Sequence, residues 1–149
     1  MTDWTNAQQT AARTARWAVT MTKVRIARFI AKTKWQLVTF VGPAGGESVG
    51  IVDMMAVRKN HAPCEPPGKR GDVFEIILIQ VKGGSAAFPS TDEIKRLRHV
   101  GRTYRAKAIL LGQWKRGSEV RFFRLRKNGP FPSRRDYWTE LTSLADVFH

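Results

Sequence analysis

Cysteine is almost missing from this chain. Cys64 is the one thiol in 149 residues, which excludes an internal disulfide and any zinc site built on several cysteines. Histidine is scarce too, at three residues, and His61 with Cys64 reads as a loop imidazole beside a loop thiol. Acids are few: 12 against 26 lysines and arginines, for a formal net charge of +14 and a pI near 10.9. A domain this basic repels itself unless an acidic partner neutralises it, and nucleic acid leads that class, ahead of an anionic membrane surface. No apolar run approaches the ~20 residues of a spanning helix, so no membrane association through a span is expected. Met1 to Gln9 lacks the charged-then-apolar layout of a secretory signal. A cytoplasmic, intracellular place follows as the expectation, in contact with the nucleoid if the partner is DNA. Internal repeats and low-complexity tracts are absent as well.

What is present suits a folded domain. The chain is 42% hydrophobic with five Trp and eight Phe, too apolar for disorder throughout, and its length suits a single domain over 1–149. Residues 5–34 carry Val19, Ile26, Phe29 and Ile30 at helical spacing, with Lys23, Arg25, Arg28, Lys32 and Lys34 on much of the remaining circumference. That predicts a basic amphipathic helix. Trp35 to Val41 is rich in β-formers and stops at Gly42-Pro43-Ala44-Gly45-Gly46, a turn without the Lys-Ser or Lys-Thr of a phosphate-cradling loop. Strands are expected over 49–58 and 73–82, separated by a Pro-rich excursion.

Ser90-Thr-Asp-Glu93 is a capping box. It opens a helix to about Tyr104 whose inward positions are Ile94, Leu97, Val100 and Gly101 or Tyr104, and whose outward Lys95, Arg98, Arg102 and Arg105 suit phosphate contact. Residues 106–114 form an apolar interior strand. Residues 119–126 alternate Arg with Phe, which fits either base stacking or an arginine-guarded edge strand. Trp138, Leu141, Leu144, Ala145 and Phe148 suggest a closing helix over 134–147.

The most informative stretch is 48–85. Alternation puts Phe74, Ile76, Leu78, Gln80 and Lys82 on one face of a strand and Glu75, Ile77, Ile79 and Val81 on the other. A carboxamide and an ammonium thus continue an apolar face, where burying them without partners is costly. If the strand over 49–58 lies alongside, Asp53 approaches that pair, and an acid, a carbonyl oxygen and a lysine at one sheet edge suit a hard cation and a phosphate. Glu47, six residues before Asp53, can reach the same place from the loop.

Gly50-Ile51-Val52-Asp53 followed by Ile79-Gln80-Val81-Lys82 resembles the active-site signature of the PD-(D/E)xK nuclease superfamily, which includes Holliday junction resolvases and many restriction endonucleases. Gln in place of Glu resembles the D…QxK variant of its Mrr-like branch. The resemblance covers roughly residues 17–125. It implies an α/β, restriction-endonuclease-like three-layer core of order αβββαβ with a central mixed sheet, to which this chain adds a strand and a C-terminal helix. It also implies Mg²⁺-assisted, or Mn²⁺-assisted, hydrolysis of DNA, duplex or branched. Asp53, the Gln80 side-chain oxygen, the Val81 carbonyl and Glu47 would hold the metal, and Lys82 would orient water or stabilise the developing charge. Arg25, Arg28, Lys32, Arg58, Lys95, Arg98, Arg102 and Arg105 are the expected nucleic-acid contacts. Junction resolvases of the superfamily act as homodimers. Many relatives carry a metal-associated Glu in the first helix, and this chain has none there. The alternative expectations are a nuclease-fold protein that binds DNA without cutting it, and a basic module in which Asp53 and Lys82 form a buried ion pair.

Overall fold

The computed structural model describes residues 3–40, 52–59 and 74–149. Glu47, the Gly42 to Gly46 turn, His61 and Cys64 lie outside the described residues. A long helix, α1 (Asp3–Ile30), precedes three strands, β1 (Gln36–Thr39), β2 (Met54–Lys59) and β3 (Phe74–Gly83). Helix α2 (Thr91–Thr103) leads to β4 (Ala108–Trp114), β5 (Arg121–Leu125) and β6 (Trp138–Glu140). The six strands lie in sequence order in one sheet, and every neighbouring pair is antiparallel except β3 with β4. A parallel pair needs a crossover, and α2 supplies it. This mixed α/β sheet, with the leading order αβββαβ, is consistent with the restriction-endonuclease-like arrangement.

Alternation along the strands gives the sheet two apolar faces. On one, Ile77 and Ile79 of β3 with Ala108 and Leu110 of β4 pack against Ile26 and Ile30 of α1. On the other, Leu111 and Phe123 pack against Ile94 and Leu97 of α2. The result is three layers, with α1 and α2 on opposite faces. Val100 is only half-buried and Tyr104 is exposed, so of the later expected inward positions it is Gly101 that is buried. There the helix comes so close to β4 that an added Cβ would lie 2.9 Å from Ile109 Cδ1.

The segment 134–147 is not a helix. It consists of a 3₁₀ turn (Arg135–Tyr137), β6, and a second 3₁₀ turn (Leu144–Asp146). Its apolar residues do recur at helical spacing, but they serve both faces of the sheet. Tyr137 and Trp138 enter the α2-side cluster, whereas Leu144, Val147 and Phe148 enter the α1-side cluster. One straight helix cannot reach both, so the chain passes round the sheet edge as strand and turn. Ser143 caps the second turn by accepting from the Ala145 amide, while Asp146 accepts from Thr142 and from the Ser143 amide.

β5 likewise departs from both readings of its Arg-Phe alternation. It is interior, between β4 and β6. Phe122 and Phe123 are buried on opposite faces, so neither ring is open to stack on a base.

The tightest helix-to-sheet contacts fall at two glycines. A Cβ on Gly83 would meet Ala18 Cβ at 2.6 Å, and one on Gly112 would meet Thr22 Cγ2 at 2.7 Å. Thr22 is wholly buried and β-branched, so it has little freedom to withdraw. Gly112→Ala is therefore expected to lower unfolding free energy by about 1–3 kcal/mol, read by urea denaturation. Gly117, whose added Cβ meets nothing within 4 Å, would show only the smaller strain of its positive φ on the same change.

Candidate active site

β2 and β3 run antiparallel, so the start of β2 lies beside the end of β3. Asp53 stands there, just before β2. Its amide donates to the Ile79 carbonyl at 3.1 Å and its carbonyl accepts from the Phe40 amide at 3.0 Å, so its main chain is fixed on both sides. Its side chain takes the next rung of the ladder, with Oδ2 accepting from the Val81 amide at 2.7 Å. Main-chain groups of alternate residues face the same neighbour, so the Val81 carbonyl faces the Asp53 edge as the Ile79 carbonyl does.

Gln80 and Lys82 lie on the α2 face, as alternation predicts, and the carboxylate that meets them comes from α2. Glu93 Oε2 accepts from Gln80 Nε2 at 3.1 Å and from Lys82 Nζ at 3.0 Å. Glu93 Oε1 reaches back to the Ser90 amide at 3.4 Å, completing the capping box. Lys82 thus pairs with Glu93. Burial pushes the Glu93 carboxyl up, but the Lys82 ammonium, the Ser90 amide and the Gln80 carboxamide together hold it below the usual carboxylate range.

An ionised Glu93 fixes the orientation of Gln80. A carboxylate only accepts, so Gln80 must turn its Nε2 toward it. That leaves Gln80 Oε1 facing the other way, buried and, among the described residues, without a hydrogen-bond donor. An unsatisfied buried carbonyl costs about 1–3 kcal/mol. Gln113 lies beside Lys82 in the β3–β4 register, on the same face and largely buried.

The structure therefore gathers Gln80 and Lys82 on one face and brings Asp53 against the Val81 backbone between them. Sequence reasoning missed Glu93 as a site residue because the capping box explained it fully. Gln113 was hidden in an apolar run. The signal available for Glu93 was the short connection between the Gln-x-Lys strand and its helix.

The expected phosphate contacts scatter. Arg58 is paired with Glu75 at 2.6 Å and lies over the Trp35 ring. Arg98 donates to the Arg126 and Asn128 carbonyls at 2.8 and 2.7 Å. Lys95 is exposed in the first half of α2. Arg25, Arg28 and Lys32 are exposed on α1 or just beyond it, and α1 lies across the sheet from Lys82. α1 meets the end of β3 at Thr14 and Ala18. Ile30, where α1 ends, is twelve residues past Ala18 and thus about 18 Å farther along at 1.5 Å per residue, and Lys32 lies just beyond it.

The oxygen set at the strand ends fits a divalent cation of the Mg²⁺ kind. Among the described residues no group of three or more His, Cys, Asp or Glu comes together. Mg²⁺ does not require one, since it is commonly held by one or two carboxylates with waters and substrate phosphates. The Asp53 carboxylate, the Val81 carbonyl and the donorless Gln80 Oε1 are oxygens of that type.

Because Glu93 contributes to stability only while ionised, the sign of its pH dependence is set. The contribution is complete above the ordinary carboxyl value of 4.5 and fades as pH falls below it, through the lower value of the folded protein. Glu93→Gln is expected to destabilise by about 1 kcal/mol at neutral pH, the pair being partly exposed. The difference from the unsubstituted protein should shrink on acidification, as followed by urea denaturation at several pH values.

No protein-family model matches the chain, and no curated protein matches it in sequence. Among solved structures, Hjc, a Holliday junction resolvase from the archaeal hyperthermophile Archaeoglobus fulgidus, is similar with a TM-score of 0.40 and 16% identity, over 79% of this chain and 92% of that one. At that identity the likeness concerns the fold alone and assigns no role to any residue.

Proposed function

We propose that the protein is a metal-dependent DNA endonuclease whose site is Asp53, Gln80, Val81 and Lys82, with Glu93 as the residue that positions Gln80 and Lys82. The observation that carries this reading is Gln80 Oε1, a buried oxygen held without a donor by the fixed orientation of its own amide. A cation would satisfy it. A bound Mg²⁺ or Mn²⁺ would supply Lewis acidity toward a phosphodiester oxygen.

The chain's own residues have separate tasks. Asp53 presents a carboxylate fixed through the Val81 amide. Lys82, partly exposed, presents an ammonium for a phosphate or for attacking water. Glu93 keeps that ammonium in place and, as an anion, keeps Gln80 turned with its oxygen free. The net charge of +14 favours a polyanionic substrate, and Lys95, Arg25, Arg28 and Lys32 remain candidate phosphate contacts. Glu47 is a further proposed oxygen ligand from outside the described residues, and the homodimer and intracellular location stand as proposals with it.

A second reading has its own observation. Asp53, Gln80 and Lys82 all have partners within the protein, as in a closed structural network, which suits a nuclease-like domain that binds DNA without cutting it.

Cleavage assays on supercoiled, branched and single-stranded DNA with Mg²⁺ or Mn²⁺ separate the two. The endonuclease yields product, and folded Asp53→Ala and Lys82→Ala variants each lose activity on the order of a hundredfold or more. Gln80→Leu should raise the metal concentration needed for half-maximal rate. No product from the unsubstituted protein, with DNA affinity retained in both alanine variants, selects the binding protein. Full activity in both variants would show that the site lies elsewhere.

A further inference from the structure

The far end of α2 forms a second basic feature, away from the strand ends that hold Lys82. A cavity of about 460 Å³ lies between the last turns of α2, the start of β4 and the end of β5. Arg98, Arg102 and Arg105 line it from the helix side. Lys107, Arg124, Arg126 and Lys127 line it from the strands, and Gly101, Ala106 and Ile109 contribute apolar floor. No acid lines it. The ion pairs among the described residues involve Arg58, Lys82, Arg121 and Arg135, none of which lines this cavity.

Several of these cations are held in place by neutral oxygens. Arg98 donates to two main-chain carbonyls, Arg124 to the Lys107 carbonyl at 3.4 Å, and Arg126 to Thr139 Oγ1 at 3.0 Å. Such partners fix a guanidinium without neutralising it. Positive charge is thus concentrated and oriented with nothing in the described fold to balance it, an arrangement that favours an anion.

Arg105 adds an independent observation. Helix α2 ends with the Ala106 amide donating to the Gly101 carbonyl at 2.8 Å and the Arg105 amide to the Arg102 carbonyl at 3.3 Å. This is a Schellman closure, and the residue after its cap adopts the left-handed conformation that glycine accepts without penalty. Here that residue is Arg105, with φ 52°. A side chain is kept where glycine would be less strained, and it lines the basic cavity.

The register fixes how far this cavity is from the candidate active site. Lys82 is level with Gln113, and the nearest residue of β4 that lines the cavity is Ile109, four residues back. That is about 13 Å at 3.3 Å per residue, so the two features are separate along the sheet.

We propose that this groove binds the phosphodiester backbone of the nucleic acid at a point separate from the phosphate at Lys82, so that α2 engages the substrate at both of its ends. The identity of the anion as nucleic acid rests on the function proposed above, whereas the existence of an anion groove does not. Arg102, Arg105 and Lys127 are exposed and would make direct phosphate contacts.

The test is fluorescence anisotropy of a labelled DNA duplex across a sodium chloride series, with tripolyphosphate and phosphatidylserine vesicles as competing probes. In the triple variant Arg102→Ala/Arg105→Ala/Lys127→Ala, affinity should fall by about tenfold or more, and the slope of log affinity against log salt should flatten by about 0.9 per lost contact, roughly 2–3 in all. Arg105→Gly relieves the backbone and removes only the side chain, so it should weaken DNA binding while the Tm stays level or rises. A triple variant with unchanged slope overturns the groove and leaves the nuclease reading standing. A lower Tm with unchanged affinity in Arg105→Gly overturns the role of that residue. Protein that binds vesicles or tripolyphosphate but no DNA overturns the nucleic-acid assignment altogether. Cleavage and salt slope are read separately, so loss of one proposal is not mistaken for loss of the other.

Discussion

A single carboxylate joins the strand and the helix that make up the candidate site. Glu93 accepts from Lys82 and Gln80 on β3 and from the Ser90 amide at the start of α2. The same interaction closes the helix, locks the helix to the strand and decides which way the Gln80 amide turns. Neither partner residue has an obvious reason to be on an apolar face without it. Removing the charge would leave an ammonium and a carboxamide partly buried with no acceptor, which is more costly than never having placed them there.

Legibility followed how local each signal is. The α2 start, the alternation along β3 and the turn into β4 are set by residues within a few positions of one another, and the sequence order αβββαβ emerged from them. The segment after Ser133 misled because spacing records which residues are buried but not against which face. Trp138 and Phe148 both satisfy a helical stripe, yet they lie in clusters on opposite sides of the sheet. Likewise, Phe122 and Phe123 look like an exposed aromatic ladder only while β5 lacks its neighbour β6. Sheet order is a long-range property that no window of the chain contains.

The candidate site was legible in part for the same reason. Asp53, Gln80 and Lys82 stood out because polar residues at strand ends break a local pattern. Glu93 did not, since a capping box accounts for it and a residue with one sufficient explanation invites no second. Its place in the site depends on the length of the loop from Gly84 to Ser90 and on α2 packing onto the β3–β4 pair, which are tertiary facts. The arginines divide similarly. Composition shows that they are numerous, but only the folded structure shows that Arg58 and Arg121 are neutralised by Glu75 and Glu140, while Arg98 and Arg124 beside the cavity are held by uncharged carbonyls.

Gln80 is where the energetics and the chemistry meet. A glutamate at that position would set two carboxylates against each other at Glu93, raising the pKa of one of them. A glutamine avoids that repulsion and gives Glu93 a donor, but only by turning its own oxygen away, into a buried position where nothing donates to it. An apolar side chain would leave no orphan oxygen but would also take the donor from Glu93, so the orphan is the cost of that hydrogen bond unless, as in the function proposed above, a cation satisfies it. Among the described residues Asp53 and Glu93 are the carboxylates near it, so the cation proposed for this site would bring much of its own coordination, as a hydrated cation carried with a phosphate does.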